Sequence, residues 1–480
     1  MSRIRVLSAV SEIFPLVKTG GLADVAGALP LALAENGVEV TSLLPGYPPI
    51  MTALESSQEV LAEPDLFGGP ARLLSGRASG LDLLVIDAPH LFDRAGGPYL
   101  GPDGQDWPDN AFRFAALGWM AAKLGSGKVA GFVPDIVHCH DWQAGLAPAY
   151  LAYGEGRRCP TVITIHNLAY QGQFPATLLS ALRLPPHSFR IDGVEYYGTI
   201  GFLKAALQFA DRLTTVSPTY AREIQTSEHG LGLDGLLRAR AHALYGITNG
   251  IDIEVWNPST DRHIPASYSR ANLERRSANK AELQRRFGLQ EDASCLLFGV
   301  VSRLVSQKGI DLLPRAAPFL AQHGAQLALL GTGDAELERR LTALSSEYPG
   351  RISCIIGYDE DVAHLVQASA DALLVPSRSE PCGLTQLCAL RYGAVPVVGK
   401  VGGLADTVAD PVDSREPTGF QFSPVGAPAF ENVLRRVFNA WLDKGFWRRL
   451  QLNGMRSDVS WKRPAEQYAR LYSDLLQGKH

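Results

Sequence analysis

The sequence predicts an α/β protein made of two doubly wound, Rossmann-like domains facing a deep cleft. Three observations carry that expectation. Short β-branched runs alternate with amphipathic helical patterns, the mark of a parallel sheet with helices on both faces. The runs fall into two series separated by a polar break. Glycine-bearing loops stand where strands hand over to helices, the place where open α/β sheets bind ligands.

The first series of runs covers residues 4–10, 38–44, 81–86, 135–138, 161–165 and 213–216. Helical patterns at 22–33, 112–123, 203–209 and 220–224 lie between them, and Pro30 should kink the first. Residues 246–261 contain the turn signals Asn249-Gly250 and Asn257-Pro258 and form the expected boundary. Residues 262–280 read as charged and irregular, with a helix opening at 281–287. The second series covers 295–301, 326–330, 352–356, 372–375 and 395–398, with helical patterns at 336–344 and 384–390. The expected division is 1–248, 249–457 and a terminal segment 458–480.

A length of 480 residues allows two to four domains. Lys plus Arg number 45 against 49 for Asp plus Glu, so the chain lacks the basic surface a general nucleic-acid binder uses to displace counterions. Six scattered cysteines without a C-x-x-C pair argue against a zinc ribbon or a disulfide framework and fit a reducing compartment. The basic start at residues 1–5 leads into an apolar run that stops at Ser8 and Glu12, too short for a signal peptide. No run approaches the ~18 apolar residues of a membrane span. The expectation is a soluble cytoplasmic protein that binds neither nucleic acid nor membrane.

The chemistry concentrates in a few loops. Lys18-Thr19-Gly20-Gly21 follows the first strand, where bare backbone N–H groups at a helix start and one cation suit a phosphate. A solvated lysine in a tight turn is the plain alternative. Arg303 and Lys308 share one strand-to-helix loop, and two cations there can neutralise a departing diphosphate. Glu380 stands in a strand–turn–helix passage ending in Gly383, where a carboxylate can accept from sugar hydroxyls or simply favour a helix N-terminus. Tyr358 offers an aromatic face for a nucleobase. Gly230, Gly232 and Gly235 spell G-x-G-x-x-G after a helical stretch, the wrong context for a dinucleotide site. Gly331-Thr332-Gly333 lacks the third glycine of that fingerprint. His138 and His140 are read as pointing to opposite faces of a strand, which argues against a shared metal. Asp359-Glu360-Asp361 resembles a metal-holding D-x-D, but acids are expected at the helix start it precedes.

Taken in order, Lys18-Thr-Gly-Gly-Leu-Ala-Asp24, Leu44-Pro-Gly-Tyr47, His140-Asp-Trp142, Thr164-Ile-His-Asn-Leu168 and Thr248-Asn-Gly-Ile-Asp252 resemble the bacterial glycogen synthase and plant starch synthase family. Trp256-Asn-Pro258, Ser302-Arg303, Gln307-Lys-Gly309, Ser377-Arg-Ser-Glu-Pro-Cys-Gly-Leu-Thr-Gln386 and Gly402-Gly-Leu-Ala-Asp-Thr407 continue the likeness. The resemblance implies a GT-B glycosyltransferase with its last helix crossing back to the first domain. It implies retaining transfer of glucose from ADP-glucose, a substrate, to the non-reducing end of an α-1,4-glucan such as glycogen. It implies neither a metal nor a resident cofactor.

Position by position, the resemblance assigns Lys18, Gly20, Gly21 and Asp24 to the donor side, with Tyr358 on adenine and Gly383, Leu384 and Thr385 beside Glu380 in the sugar and phosphate cradle. It assigns His166 to the anomeric centre, Arg303 and Lys308 to the leaving ADP, and Tyr99, Asp141 and Asn167 to the acceptor side, where Asp24 also lines the glucose. Some GT-B members carry a second Glu eight positions after the first; Cys388 stands there instead. With Glu380 as the one strong carboxylate and no nucleophile opposite it, front-face displacement is favoured over a covalent intermediate. The alternatives are a UDP-sugar transferase of the same fold, a pyridoxal-phosphate glucan phosphorylase, or a non-catalytic glucan-binding protein.

Overall fold

The computed structural model describes residues 3–129 and 131–478, so the start at Met1 and Ser2 lies outside it. Two compact units result. One takes the chain up to Asn249 together with the segment from Trp461 on; the other spans Gly250–Ser460.

The first unit holds β1 (Ile4–Ala9), β2 (Val38–Pro45), β3 (Glu55–Glu63), β4 (Ala71–Ala78), β5 (Leu81–Asp87), β6 (Ile136–His140) and β7 (Thr161–Ile165). After these come β8 (Gln173–Pro175), β9 (Glu195–Tyr196), β10 (Thr199–Gly201), β11 (Arg212–Thr215) and β12 (Leu244–Gly246). Nine of them form one sheet in the order β12-β11-β7-β6-β1-β2-β5-β4-β3, while β8, β10 and β9 make a small antiparallel sheet. The large sheet is parallel from β12 to β5, and β4 and β3 extend it antiparallel. That mixed edge departs from the all-parallel expectation. Its outer strand is polar and mostly exposed, so it carries no apolar signal to read.

The helix Gly21–Ala34 continues through Pro30. On it lies the last helix, Lys462–Leu476, whose Ala465, Tyr468, Leu471 and Tyr472 bury against Val6, Val25, Leu29 and Leu33. Each such fully buried apolar side chain stabilises by about 1.5–3 kcal/mol.

The second unit is a six-stranded parallel sheet. Its strands are β13 (Leu297–Val301), β14 (Gln326–Gly331), β15 (Ile352–Ile356), β16 (Ala372–Val375), β17 (Val395–Gly399) and β18 (Phe420–Phe422), in the order β15-β14-β13-β16-β17-β18. Phe298 and Val300 face one core cluster and Leu297 the other, the two-residue period of a strand buried on both sides. The charged stretch 262–280 proves ordered. A 3₁₀ turn at Arg270–Arg275 leads into the helix Arg276–Arg286, five residues before the expected start. The charges of its first turn and a half are buried and paired. Arg276 donates to the carbonyls of Ala368 (3.1 Å) and Ala370 (2.6 Å), and Lys280 Nζ meets Asp371 Oδ2 at 2.7 Å. Among the described residues no helix is long and apolar enough to cross a membrane.

Candidate active site

In the first unit the carboxyl ends of β1, β6 and β7 gather the candidate residues. Asp141 follows β6 directly. Its backbone takes φ +53°, rare for a residue with a Cβ, and its carboxylate accepts from the backbone N–H of His166 (2.7 Å) and Asn167 (3.4 Å). Burial pushes this carboxyl up to about 7, against the pull of those two N–H donors. Asn167 Oδ1 in turn accepts from Ala169 N at 3.0 Å.

His138 and His140 point to the same face of β6, correcting the sequence reading. Residues two apart on a strand share a face, and the rings lie 4.2 Å apart. Both are committed to hydrogen bonds. His138 Nδ1 is 2.7 Å from Tyr472 Oη and its Nε2 is 2.6 Å from Thr164 Oγ1. His140 Nε2 is 3.2 Å from Ser8 Oγ, and its Nδ1 is 2.9 Å from His166 Nε2. Burial pulls His138 and His166 down to about 3 and His140 well below the ordinary imidazole range, so all three are neutral at pH 7.

The Lys18–Gly21 loop starts its helix without a side-chain cap at Gly20. Its donors go to Glu12, a residue the sequence reading passed over. The Glu12 carboxylate accepts from Thr19 N (2.5 Å), Thr19 Oγ1 (2.8 Å), Gly20 N (3.3 Å) and Tyr99 Oη (3.2 Å). Glu12 is 3% exposed, and burial raises its pKa despite these donors. Tyr99 also meets Ser11 Oγ at 2.8 Å, and Lys18 Nζ pairs with Asp24 at 2.8 Å. Nothing in the sequence marks Glu12, because a lone acid between a strand and a loop has no motif of its own.

In the second unit Arg303 lies exposed two residues past β13. Lys308 closes the 3₁₀ turn Ser306–Lys308, and its Nζ is 2.5 Å from Glu380 Oε2, which also accepts from Ser377 Oγ at 3.0 Å. Gly309 brings these loops together. Its φ is +67°, and a Cβ there would lie 1.9 Å from the Pro376 carbonyl oxygen. Arg378, another residue sequence reading missed, staples the same loops by a bidentate pair with Asp311 (2.6 and 2.8 Å) and a bond to Ser306 O (2.7 Å). The Arg378 hydrogen bonds hold the Asp311 carboxyl below its usual range.

Gly383, at φ +73°, and Leu384 precede the helix Thr385–Tyr392, on which Cys388 is buried. Tyr358 is 69% exposed, and its hydroxyl meets Glu360. The acids beside it are occupied. Asp359 caps the helix Glu360–Ser369, Asp361 meets His263 Nδ1 at 2.6 Å, and Glu360 stands 3.8 Å from His364. Among the described residues no group of three His, Cys, Asp or Glu forms a metal cage.

Two doubly wound units with anion-suited loops at their strand ends define a GT-B glycosyltransferase. The starch synthase catalytic domain family matches residues 5–239, and glycosyl transferases group 1 matches 280–444. A glycogen synthase of Rhodopseudomonas palustris strain BisA53 is 58% identical over 483 residues, covering 100% of this chain and 99% of that protein. One from Methylocella silvestris is 59% identical over 481 residues, covering 99% and 100%. The catalytic domain of starch synthase IV from Arabidopsis thaliana, bound to ADP and acarbose, superposes with a TM-score of 0.88 at 31% identity over 99% of both chains. The chain belongs to the glycogen synthase and starch synthase family.

Proposed function

We propose that this protein transfers glucose from ADP-glucose to the non-reducing end of an α-1,4-glucan with retention of configuration, in the cytoplasm. The observation that carries the reading is the Lys308–Glu380 pair, set at 2.5 Å on two loops stapled by Arg378. It keeps an ammonium at the mouth of a helix-start loop, where a diphosphate leaving group needs positive charge. Binding of ADP by the starch synthase relative supports the choice of nucleotide.

In the proposed step the bond from C1 of glucose to the diphosphate oxygen breaks. A bond from C1 to the incoming 4-hydroxyl oxygen forms on the same face, and the hydroxyl proton passes to the departing ADP. Arg303 and Lys308 stabilise the leaving charge, with Gly383, Leu384 and Thr385 offering backbone groups to phosphate and Tyr358 stacking on the base. Glu380 already accepts from Lys308 and Ser377. That commitment suits a role in holding sugar and lysine better than one as a free nucleophile, and so favours front-face displacement over a covalent intermediate. Lys18, Gly20, Gly21 and Asp24 serve the donor from the first unit; Tyr99, Asp141 and Asn167 serve the glucan. No resident cofactor or metal enters this scheme. ADP release with glycogen, run in parallel with ADP-glucose and UDP-glucose, tests it. Turnover with ADP-glucose is expected; product from UDP-glucose alone, or glucan binding without ADP release, overturns it.

A further inference from the structure

We infer that Ser8 and His140 are positioning residues that fix His166 as a neutral hydrogen-bond donor through Nδ1–H, so that it serves the transferred sugar by donation and not as a base. The inference deepens the proposed function and rests on its assignment of His166 to the reacting sugar.

The argument follows the protons. Among the described residues Ser8 Oγ has one hydrogen-bond partner, His140 Nε2 at 3.2 Å. Ser8 is 5% exposed, and a buried hydroxyl hydrogen goes to an acceptor wherever one is in reach. Ser8 therefore donates and His140 Nε2 accepts. A neutral imidazole carries one N–H, so the proton of His140 sits on Nδ1. Its Nδ1 is 2.9 Å from His166 Nε2, and a bond between two ring nitrogens needs exactly one hydrogen. His140 supplies it, which leaves Nε2 of His166 as acceptor and puts the proton of that ring on Nδ1. Nδ1 has no partner among the described residues, and the ring is half-buried. That leaves the Nδ1–H of His166 to give to a ligand oxygen.

The neighbouring chain reads in the same way and fixes the other ring of the stack. Thr214 Oγ1 donates to the Ile163 carbonyl at 3.4 Å, so it accepts from Thr164 Oγ1 at 2.5 Å. Thr164 then accepts from His138 Nε2–H, and Tyr472 Oη donates to His138 Nδ1. His138 and His140 thus carry their protons on different nitrogens although their rings stack. The order of each set follows from its far end, a hydroxyl hydrogen in one and a carbonyl oxygen in the other. Asp141 completes the arrangement by holding the His166 backbone N–H at 2.7 Å, so side chain and main chain of His166 are fixed by consecutive residues.

Two measurements test this. Nitrogen-15 NMR on histidine-labelled protein at pH 7, with His166 assigned by its disappearance in His166→Ala, is expected to show Nδ1 protonated and Nε2 bare. A proton on Nε2 overturns the inference without touching the proposed reaction. The second measurement compares two isosteric variants. The amide nitrogen of His140→Asn lies near the Nδ1 position and keeps a donor to His166; that of His140→Gln lies near Nε2 and keeps only the Ser8 side. Asn is expected to retain kcat within a few fold and Gln to lose about tenfold or more, as loss of an orienting partner does elsewhere. Equal losses in the two, or the reverse order, overturn the positioning role. Full turnover in His166→Ala instead sinks the assignment of His166 to the reaction and leaves the tautomer result standing.

Discussion

Replacing Lys308 by Ala separates catalysis from folding. The ammonium lies 2.5 Å from Glu380, with the side chains 19% and 10% exposed. Among the described residues, removing it leaves that carboxylate with the Ser377 hydroxyl at 3.0 Å. Breaking a fully buried ion pair costs about 3–5 kcal/mol; water reaching a lysine this accessible should cut that to about 1–3 kcal/mol. The catalytic loss has a different origin. A cation that meets charge only as the diphosphate departs contributes about 10²–10³ to kcat, or about 2.7–4 kcal/mol. Initial rates of ADP release at saturating donor, read beside a thermal melt, resolve the two. Adding Glu380→Gln removes the stranded charge, so the double variant should regain most of the melting temperature and none of the turnover. If turnover returned with stability, or if Lys308→Ala alone kept kcat within threefold, Lys308 would be a structural residue and the leaving-group argument would fail.

Three further outcomes are expected. Tyr472→Phe leaves Nδ1 of the buried His138 without its donor, which should cost about 1–3 kcal/mol and lower the melting temperature of the first unit by several degrees. Asp141 keeps its proton to about pH 7 when folded but ionises near 4 when unfolded, so its contribution is full below 4 and is lost as pH rises towards 7. Asp141→Asn removes that loss, and its urea midpoint relative to the parent should improve by the equivalent of about 2–3 kcal/mol between pH 5 and pH 8; a constant difference would refute the raised pKa. Lys280→Met strands Asp371 in the second unit, and a loss of about 3–5 kcal/mol in chemical denaturation is expected.

The core strands were legible because they are buried on both faces and so read as unbroken apolar runs; β7 and β16 fall on the expected residues. The edge was not. β3 is solvated along most of its length, and β18 is only three residues long. The first five residues of the helix at Arg276 read as irregular because their charges look like surface, whereas Arg276 and Lys280 spend them on buried carbonyls and Asp371. Glycine-rich loops announce themselves at the candidate site, but their supports do not. Ser8 and Arg378 act through partners far away in the chain, 132 positions for Ser8 and His140 and 67 for Arg378 and Asp311, and no local pattern encodes such a meeting.

The last helix closes the first unit over Val6, Val25, Leu29 and Leu33, and one of its tyrosines bonds to His138. A ribosome makes those two layers far apart in time, with Gly250–Ser460 between them. The early-made sheet must wait with an uncovered greasy flank while the whole second unit, contiguous in the chain, is threaded out and free to collapse first. Growth conditions that slow elongation should therefore lengthen the period of chaperone dependence, and the vulnerable surface during that wait is the flank this helix will cover.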